Sequence, residues 1–568
     1  MVDHSPNDLP APHDWSRRGF LRSAAALAAV PVLLAADPAV AAAELPGFPA
    51  EVAPYRSAYR NWAGEITADG LWACAPDDAA QVLAVVDWAW RNGWRVRARG
   101  SSHGWSPLTI TAGTGADDRV LLVDTASRLT GLSLDSGSAV RAGTGVTLEA
   151  LLTFLEGHGL GLTAAPAPGD LTLGGALAID AHGTAVPADG EEPLPGRTYG
   201  SLSNLVLQLT AVVWDGGAGA YVLRTFRREE ADCAALLTHL GRALVTEVVL
   251  RVGADSSLRC VSRTDVPAAE LFAAPGSGGR TLDGFLRRSG RVEAIWFAFT
   301  EYPWLKEWSV APAKPLTSRH VTAPYNYPFS DNVPTVVADL VGRMVSDAAW
   351  YLAPVLGNAQ LDVAALGLVA TLSSDIWGAS KNTLLYIKPT TLRVGANGYA
   401  VLTRRSDVQR VVHEFTSFYR ERLTAYAASG RFPVNGSVEI RVTGLDEASD
   451  AGVAGAQVPL LSAVRPREGA DTAVWLDVLT LPGTPHAEAF LRELEEFLFG
   501  RFEGTRVEWS KGWGYTESGV WSDEAVLGTR VPGSFGSEVW DAAVETLDRL
   551  DPHRVFSNGF LDGVLVRR

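Results

Sequence analysis

The chain has 568 residues, of which 47% are hydrophobic and 20% charged, a balance suited to more than one soluble core. A formal net charge of −15 argues against nucleic acid as a partner and against attraction to an anionic membrane. Three cysteines, Cys74, Cys233 and Cys260, form no C-x-x-C pair, and no H-E-x-x-H run occurs, so neither a disulfide scaffold nor a metal site is expected.

Residues 1–43 read as a targeting segment. Arg17 and Arg18 precede Phe20 and Leu21, an apolar run extends from Ala24 to about Ala36, and small residues up to Ala43 offer a cleavage site. Pro31 and Asp37 leave that run too short to span a bilayer. The pattern predicts a twin-arginine export signal and a secreted protein.

Asp77 and Asp78 suit a helix N-terminus, Val82, Val86, Ala89 and Trp90 make an apolar stripe at helical spacing, and Gly93 stops the helix. Trp94–Ala98 then reads as a strand, followed by the small-residue loop Gly100, Ser101, Ser102, His103, Gly104. Such a loop, with free backbone N–H groups and Arg99 beside it, can hold a pyrophosphate; the plainer alternative is an ordinary turn with a structural histidine. Gly100–Gly104 also fits G-x-S-x-G, but Pro107 follows closely and no helical pattern begins, which speaks against a hydrolase elbow. A second glycine cluster occupies Pro166–Thr184, a third turn lies at Tyr199–Asn204, and a fourth leads into a strand over Leu240–Val252. There is no G-x-G-x-x-G after a first strand and no P-loop.

In this order and spacing, "RGSSHGWSP", "GDLTLGGALAIDAHGT", "YGSLSNLV" and "LVTEVVLRV" resemble the flavin domain of the vanillyl-alcohol-oxidase-type oxidoreductases. The resemblance implies an α+β, two-domain fold with FAD as cofactor. It implies His103 as a covalent tether to the flavin, with Arg99, Gly100, Ser101, Ser102 and Gly104 lining the pyrophosphate. It also puts Gly169, Gly174, Gly175, Gly183, Gly200, Ser203 and Val245 on the flavin-contacting loops. The closing stretch carries Phe556, Asn558 and Leu561 in an F-x-N-x-x-L pattern similar to that superfamily's C-terminus. The expected division is an FAD-binding domain over 44–255, an inserted substrate domain of sheet covered by helices over 256–500, and a return to the FAD domain over 501–568.

Within the inserted part, "RVEAIWFAFTEYP" alternates so that Glu293 shares a face with Ile295, Phe297 and Phe299. A carboxylate on such an apolar face is expected to have a raised pKa and to act as acid and base; the alternative is an edge position reaching water. The stretch Val336–Leu372 is apolar but interrupted by Asp339, Arg343, Asp347, Pro354 and Asp362, which predicts buried helices. In "NGSVEIRVTGLD", Val438, Ile440 and Val442 take one face and Glu439 and Arg441 the other. That pair is either a solvated charged row or an arginine that stabilises negative charge, with Glu439 holding it. Asp477 shares a face with Trp475 and Leu479.

With the export signal and the histidine loop, "VEAIWFAFT" and "VEIRVTGLD" resemble the second class of bacterial cholesterol oxidases, those with covalent FAD. The resemblance implies oxidation of a sterol 3β-hydroxyl by O2, giving hydrogen peroxide, with a Δ5-to-Δ4 shift. Glu293 would be the acid/base and Arg441 the group near the reacting centre. Glu439 would gate oxygen, and Lys511 would be a weaker active-site candidate. A transient membrane contact through apolar loops is also expected, because sterols barely dissolve in water. The competing readings are a flavin oxidase of an aldonolactone or sugar, and a secreted lipid carrier without catalysis. The Trp- and Phe-rich middle strands favour the sterol.

Overall fold

The computed structural model describes residues 45–193, 196–197, 199–327 and 335–568, so the expected export signal lies outside the described residues. The first sheet holds β1 (Pro54–Arg60), β2 (Thr67–Cys74), β3 (Arg95–Arg99) and β4 (Val120–Asp124) in the order β1-β2-β4-β3. Helix α1 (Ala79–Asn92) crosses between β2 and β3. Its start is set by Asp78, which accepts from the Gln81 N–H, and its end by Gly93 at φ 68°, a left-handed turn that glycine adopts without strain. An antiparallel sheet follows, ordered β5 (Leu132–Ser136), β6 (Ala139–Gly143), β9 (Leu244–Arg251), β7 (Val206–Asp215), β8 (Ala220–Arg227).

The inserted part is built on nine strands. They are β10 (Leu258–Arg263), β11 (Arg291–Phe297), β12 (Trp304–Val310), β13 (Arg319–His320), β14 (Asp375–Gly378), β15 (Gly395–Thr403), β16 (Ser437–Thr443), β17 (Thr472–Thr480) and β18 (Thr505–Val507). Their order is β13-β14-β10-β12-β11-β16-β17-β15-β18. Val438, Ile440 and Val442, paired with Val478, Leu476 and Val474, form one apolar face, packed by helices α4 (Val408–Ala428) and α5 (Ala487–Arg501). The other face carries Glu293, Glu439 and Arg441 and looks back at the first two sheets. β18 still belongs to this sheet although it follows residue 501, so the chain returns to the first two sheets only after it.

That return is tied at two points. Arg97, buried on β3, donates to the carbonyls of Thr109, Gly241 and Phe556. Asn558 accepts from the Leu561 N–H and donates to the carbonyls of Pro107 and Leu108. The F-x-N-x-x-L pattern thus works as a helix cap and as a clamp on the loop that carries His103.

Two expectations are corrected here. Phe299 does not continue the face of Glu293: β11 ends at Phe297, and Phe299 sits at φ 64°. The helices of 336–372, α2 (Thr335–Ser346) and α3 (Ala353–Ala370), are buried on one side only. Gly357 seats α3 so closely that a Cβ there would lie 2.0 Å from the Ala298 carbonyl oxygen. The far side, however, leaves Val336, Tyr351, Val355, Leu366, Val369 and Leu372 more than half exposed. Among the described residues the cysteines are all free and buried, and Met344 is fully buried.

Removing the Asn558 side chain leaves buried carbonyls and a helix N-terminus without their donor and acceptor. Asn558→Ala is expected to lose about 1–3 kcal/mol of stability, read as a lower urea midpoint with an unchanged m-value.

Candidate functional site

Between the two halves lies a cavity of about 370 Å³. One end is made by the loop after β3. Gly100 is required there, because a Cβ would come 1.9 Å from Thr172 Oγ1. Gly174 and Gly183 also pack closely: a Cβ there would lie 2.8 Å from Thr144 Cβ and 2.7 Å from the Ala165 nitrogen. Gly104 faces open space. Ser101, Ser102, His103, Gly175 and Val245 also line the cavity. Ser102, at φ 54°, is followed by irregular chain and not by a helix, so it does not occupy a nucleophile elbow.

His103 stacks on Trp62 with ring centroids 3.7 Å apart. Its Nδ1 is buried without a hydrogen bond, 3.8 Å from an Asp170 oxygen that also lacks a partner. Burial, then Lys511 and Arg393, push its pKa down to about 3, so the ring is neutral near pH 7. A neutral imidazole with an unmade bond, set in a wall of glycine and serine backbone, fits a dinucleotide cofactor held by main-chain contacts.

Four other residues expected at the cofactor do not reach the cavity wall. Arg99 is turned away: its guanidinium donates to Ser57 Oγ at 2.7 Å and to Asp124 Oδ2 at 3.0 Å. Gly169 stands behind the wall, its carbonyl taken by the Glu149 N–H. Gly200 is packed against Asp446, where a Cβ would be 2.2 Å from Oδ1. Ser203 donates to the Leu177 carbonyl at 2.8 Å.

The opposite end is ionic. Arg441 donates through Nε to Glu293 Oε1 at 2.7 Å and through Nη1 to Asp477 Oδ2 at 2.8 Å, with Nη2 bonded to Glu439. The register explains the cluster. Glu293 lies directly opposite Arg441, and Glu439 opposite Asp477, so cross-strand neighbours share one face. Lys511 Nζ approaches Asp477 at 3.8 Å and Glu508 at 3.9 Å, and lies 4.0 Å from the Trp105 ring centre. The charged row of β16 therefore faces the cavity and not solvent.

The three carboxylates around Arg441 are not equivalent. Glu293 was expected to have a raised pKa; it is lowered instead. Burial pushes it up, but Arg441, Lys306 and the Tyr386 hydroxyl together outweigh that. Burial raises Glu439, with Glu293 and Asp477 adding to the rise. Burial and Glu508 push Asp477 up to about 7. One group is thus kept as a base while its neighbours hold protons more readily, the separation that acid/base chemistry uses.

Sequence reasoning missed four residues here. Tyr386 donates to Glu293 Oε2 from a segment with no distinguishing pattern. His182 was read only as part of a glycine-rich turn; it stacks on Trp475 at 3.5 Å and faces the cavity. Burial first, then Arg441 and Lys511, take its pKa down to about 3. Glu508 and Lys306 complete the set. Among the described residues no group of side chains could hold a metal ion.

The family described as "Cholesterol oxidase, substrate-binding" matches residues 257–566, and an "FAD binding domain" family matches 72–218. A solved structure titled solvent-stable cholesterol oxidase is 53% identical, with a TM-score of 0.90, covering 92% of this chain and 99% of that one. A crystal structure of cholesterol oxidase from B. sterolicum is 42% identical, with a TM-score of 0.89 and the same coverage. Among curated proteins, L-gulonolactone oxidase of Mus musculus is 26% identical over 248 residues, 43% of this chain and 49% of its own length. The chain therefore spans about half the length of the curated relatives it matches.

The Asp477 shift has a measurable consequence. Its folded-state pKa rises from the ordinary 3.8 to about 7, so its contribution to stability is complete below the unfolded pKa and is lost as pH rises through the folded value. Asp477→Asn should flatten the decline in urea midpoint between about pH 4 and about pH 7.

Proposed function

This chain belongs to the cholesterol oxidase family, and from that premise we propose that it oxidises the 3β-hydroxyl of cholesterol and related sterols and shifts the ring double bond from Δ5 to Δ4. The observation that carries this reading is the polarity of one cavity: a backbone cradle with a neutral, unpaired His103 at one end, and a base held ionised by Arg441 in a closed wall at the other. FAD, when bound, supplies the two-electron acceptor for the alcohol carbon and passes the electrons to O2, which leaves as hydrogen peroxide.

His103 is assigned as the covalent tether through a ring nitrogen. Gly100, Ser101, Ser102, Gly104, Gly174, Gly175, Gly183 and Val245 line the cofactor's end of the cavity. At the other end Glu293 takes a proton. In the oxidation it removes the hydroxyl proton; in the isomerisation it takes one from C4 and returns it to C6. Its lowered pKa keeps it deprotonated near neutral pH, and Tyr386 and Arg441 fix its two oxygens in place. Arg441 also compensates negative charge that develops beside it. Glu439, Asp477, Glu508 and Lys511 form the polar path from this end, which we assign to proton and oxygen traffic.

Two further assignments follow. The paired arginines Arg17 and Arg18 direct the folded protein out of the cell by the twin-arginine route. The exposed side of α2 and α3 is the surface that meets the sterol's lipid source. Six of the nine large exposed apolar residues among those described lie between Val336 and Leu372. The cluster beneath them includes Leu392 and Val394, which also line the cavity.

The deciding experiment mixes the purified yellow protein with cholesterol anaerobically and then admits air. Bleaching of the flavin, recovery in air and a conjugated-enone absorbance are expected together; a flavin that sterol does not bleach overturns the sterol reading. His103→Ala should release its flavin into the acid supernatant, whereas the parent retains colour in the precipitate. Leu366→Ser with Val369→Ser and Leu372→Ser should weaken binding to neutral phosphatidylcholine–cholesterol vesicles and leave turnover of detergent-dispersed cholesterol unchanged.

A further inference from the structure

Glu293 has a neighbour on each side in the sheet. Arg441 stands opposite it on β16, and Lys306 stands opposite it on β12. Arg441 shares its charge among three carboxylates. Lys306 is fully buried, and its Nζ has no hydrogen-bond partner among the described residues. Four rings surround it instead: Tyr386 at 3.0 Å, Tyr327 at 4.5 Å, Trp308 at 5.0 Å and Trp304 at 5.3 Å from their centres.

An ammonium without hydrogen bonds in such a place is costly, and ring faces recover only part of the loss. A methionine would fill the same space at no electrostatic cost, so packing does not explain the charge. The placement of Tyr386 does. Its ring face rests on the ammonium while its hydroxyl donates to Glu293 Oε2. One residue is thus held at both ends, by the cation below and the carboxylate beside it.

The other groups facing this pair do not replace the cation. From β16 come Arg441 and Glu439, from β17 Asp477, from β10 Cys260, and Tyr327 from the segment before the second half of the domain. Burial raises both the Cys260 thiol and the Tyr327 phenol, so both stay neutral near pH 7. Glu293 is the carboxylate that acts most strongly on Lys306.

We propose that Lys306 is a positioning residue for the chemistry assigned to Glu293: its caged ammonium fixes the Tyr386 ring and keeps the Glu293 carboxylate ionised and aimed into the cavity. The proposal rests on the sterol oxidase reading above. Burial draws the Lys306 pKa down to about 8, which still leaves the side chain protonated at neutral pH.

The test uses the FAD-loaded enzyme and Lys306→Met. Two quantities are read against pH: the rate of anaerobic flavin reduction by cholesterol, and the infrared carbonyl band of a protonated carboxyl, assigned to Glu293 by its loss in Glu293→Gln. Lys306→Met is expected to move the acid limb of the rate profile up by about one pH unit or more. It should lower kcat about 10-fold with little change in KM. It should also bring the Glu293 band to higher pH. Tyr386→Phe, which keeps both ring and ammonium, should lower the maximal rate with a smaller shift of the limb. A folded Lys306→Met with the parental acid limb and no displaced band overturns the proposal. If that variant does not fold, Lys306→Gln is read in the same way, and a parental acid limb with no displaced Glu293 band overturns the proposal. A parent that cholesterol does not reduce overturns the oxidase reading instead, and the infrared band still judges Lys306.

Discussion

A single guanidinium organises the reactive end of this molecule. Arg441 is bonded to Glu293, Glu439 and Asp477 at once, and none of the three could stay in that wall as an unpaired anion. The arrangement is a property of strand order: β11, β16 and β17 must lie side by side, in this register, for the carboxylates to converge on one side chain. Because the cations lie unevenly around the three carboxylates, with Lys306 beside Glu293, the groups divide the charge unequally. Glu293 keeps its negative charge and the others are driven towards protonation. A base with proton-holding neighbours is therefore built into the sheet itself and does not depend on a mobile loop.

The second constraint is the seam between the halves. The cavity has walls from the His103 loop, the nine-stranded sheet and the residues around Lys511. Its geometry depends on segments far apart in sequence being held together. Arg97 and Asn558 do this through main-chain carbonyls, so the tie is made to backbone and tolerates variation in the side chains it passes. The C-terminal segment thereby acts as a strap over the loop that carries His103.

Much of this was legible in the sequence, for identifiable reasons. Period-two alternation in β11 and β16 put Glu293, Glu439 and Arg441 on one face, because a strand leaves no other choice once its apolar side is known. Helix α1 was bounded by Asp78 and Gly93, both with local mechanisms. Lys306 and Tyr386 were not legible, since their roles come from pairing between strands and from a segment that folds over the sheet. The pKa of Glu293 was misread for the same reason: apolar neighbours along a strand are visible, but cations on adjacent strands are not. Arg99 was misplaced because proximity in sequence to a glycine loop says nothing about which side of the strand its guanidinium leaves. For the helices of 336–372, composition reports how apolar a helix is and not what covers it, so their exposed side is not legible.

The sulfur of this protein is placed in a way that bears on its own survival. Peroxide attacks the thiolate form of cysteine and the thioether of methionine. Here Cys74, Cys233 and Cys260 are all buried, and burial raises each thiol above its ordinary range. The sequence has two methionines, and Met344 has no exposed surface. Among the described residues, a chain proposed to release hydrogen peroxide at every turnover therefore shows its product almost no sulfur to oxidise. Self-inactivation should follow unfolding and not the number of turnovers completed.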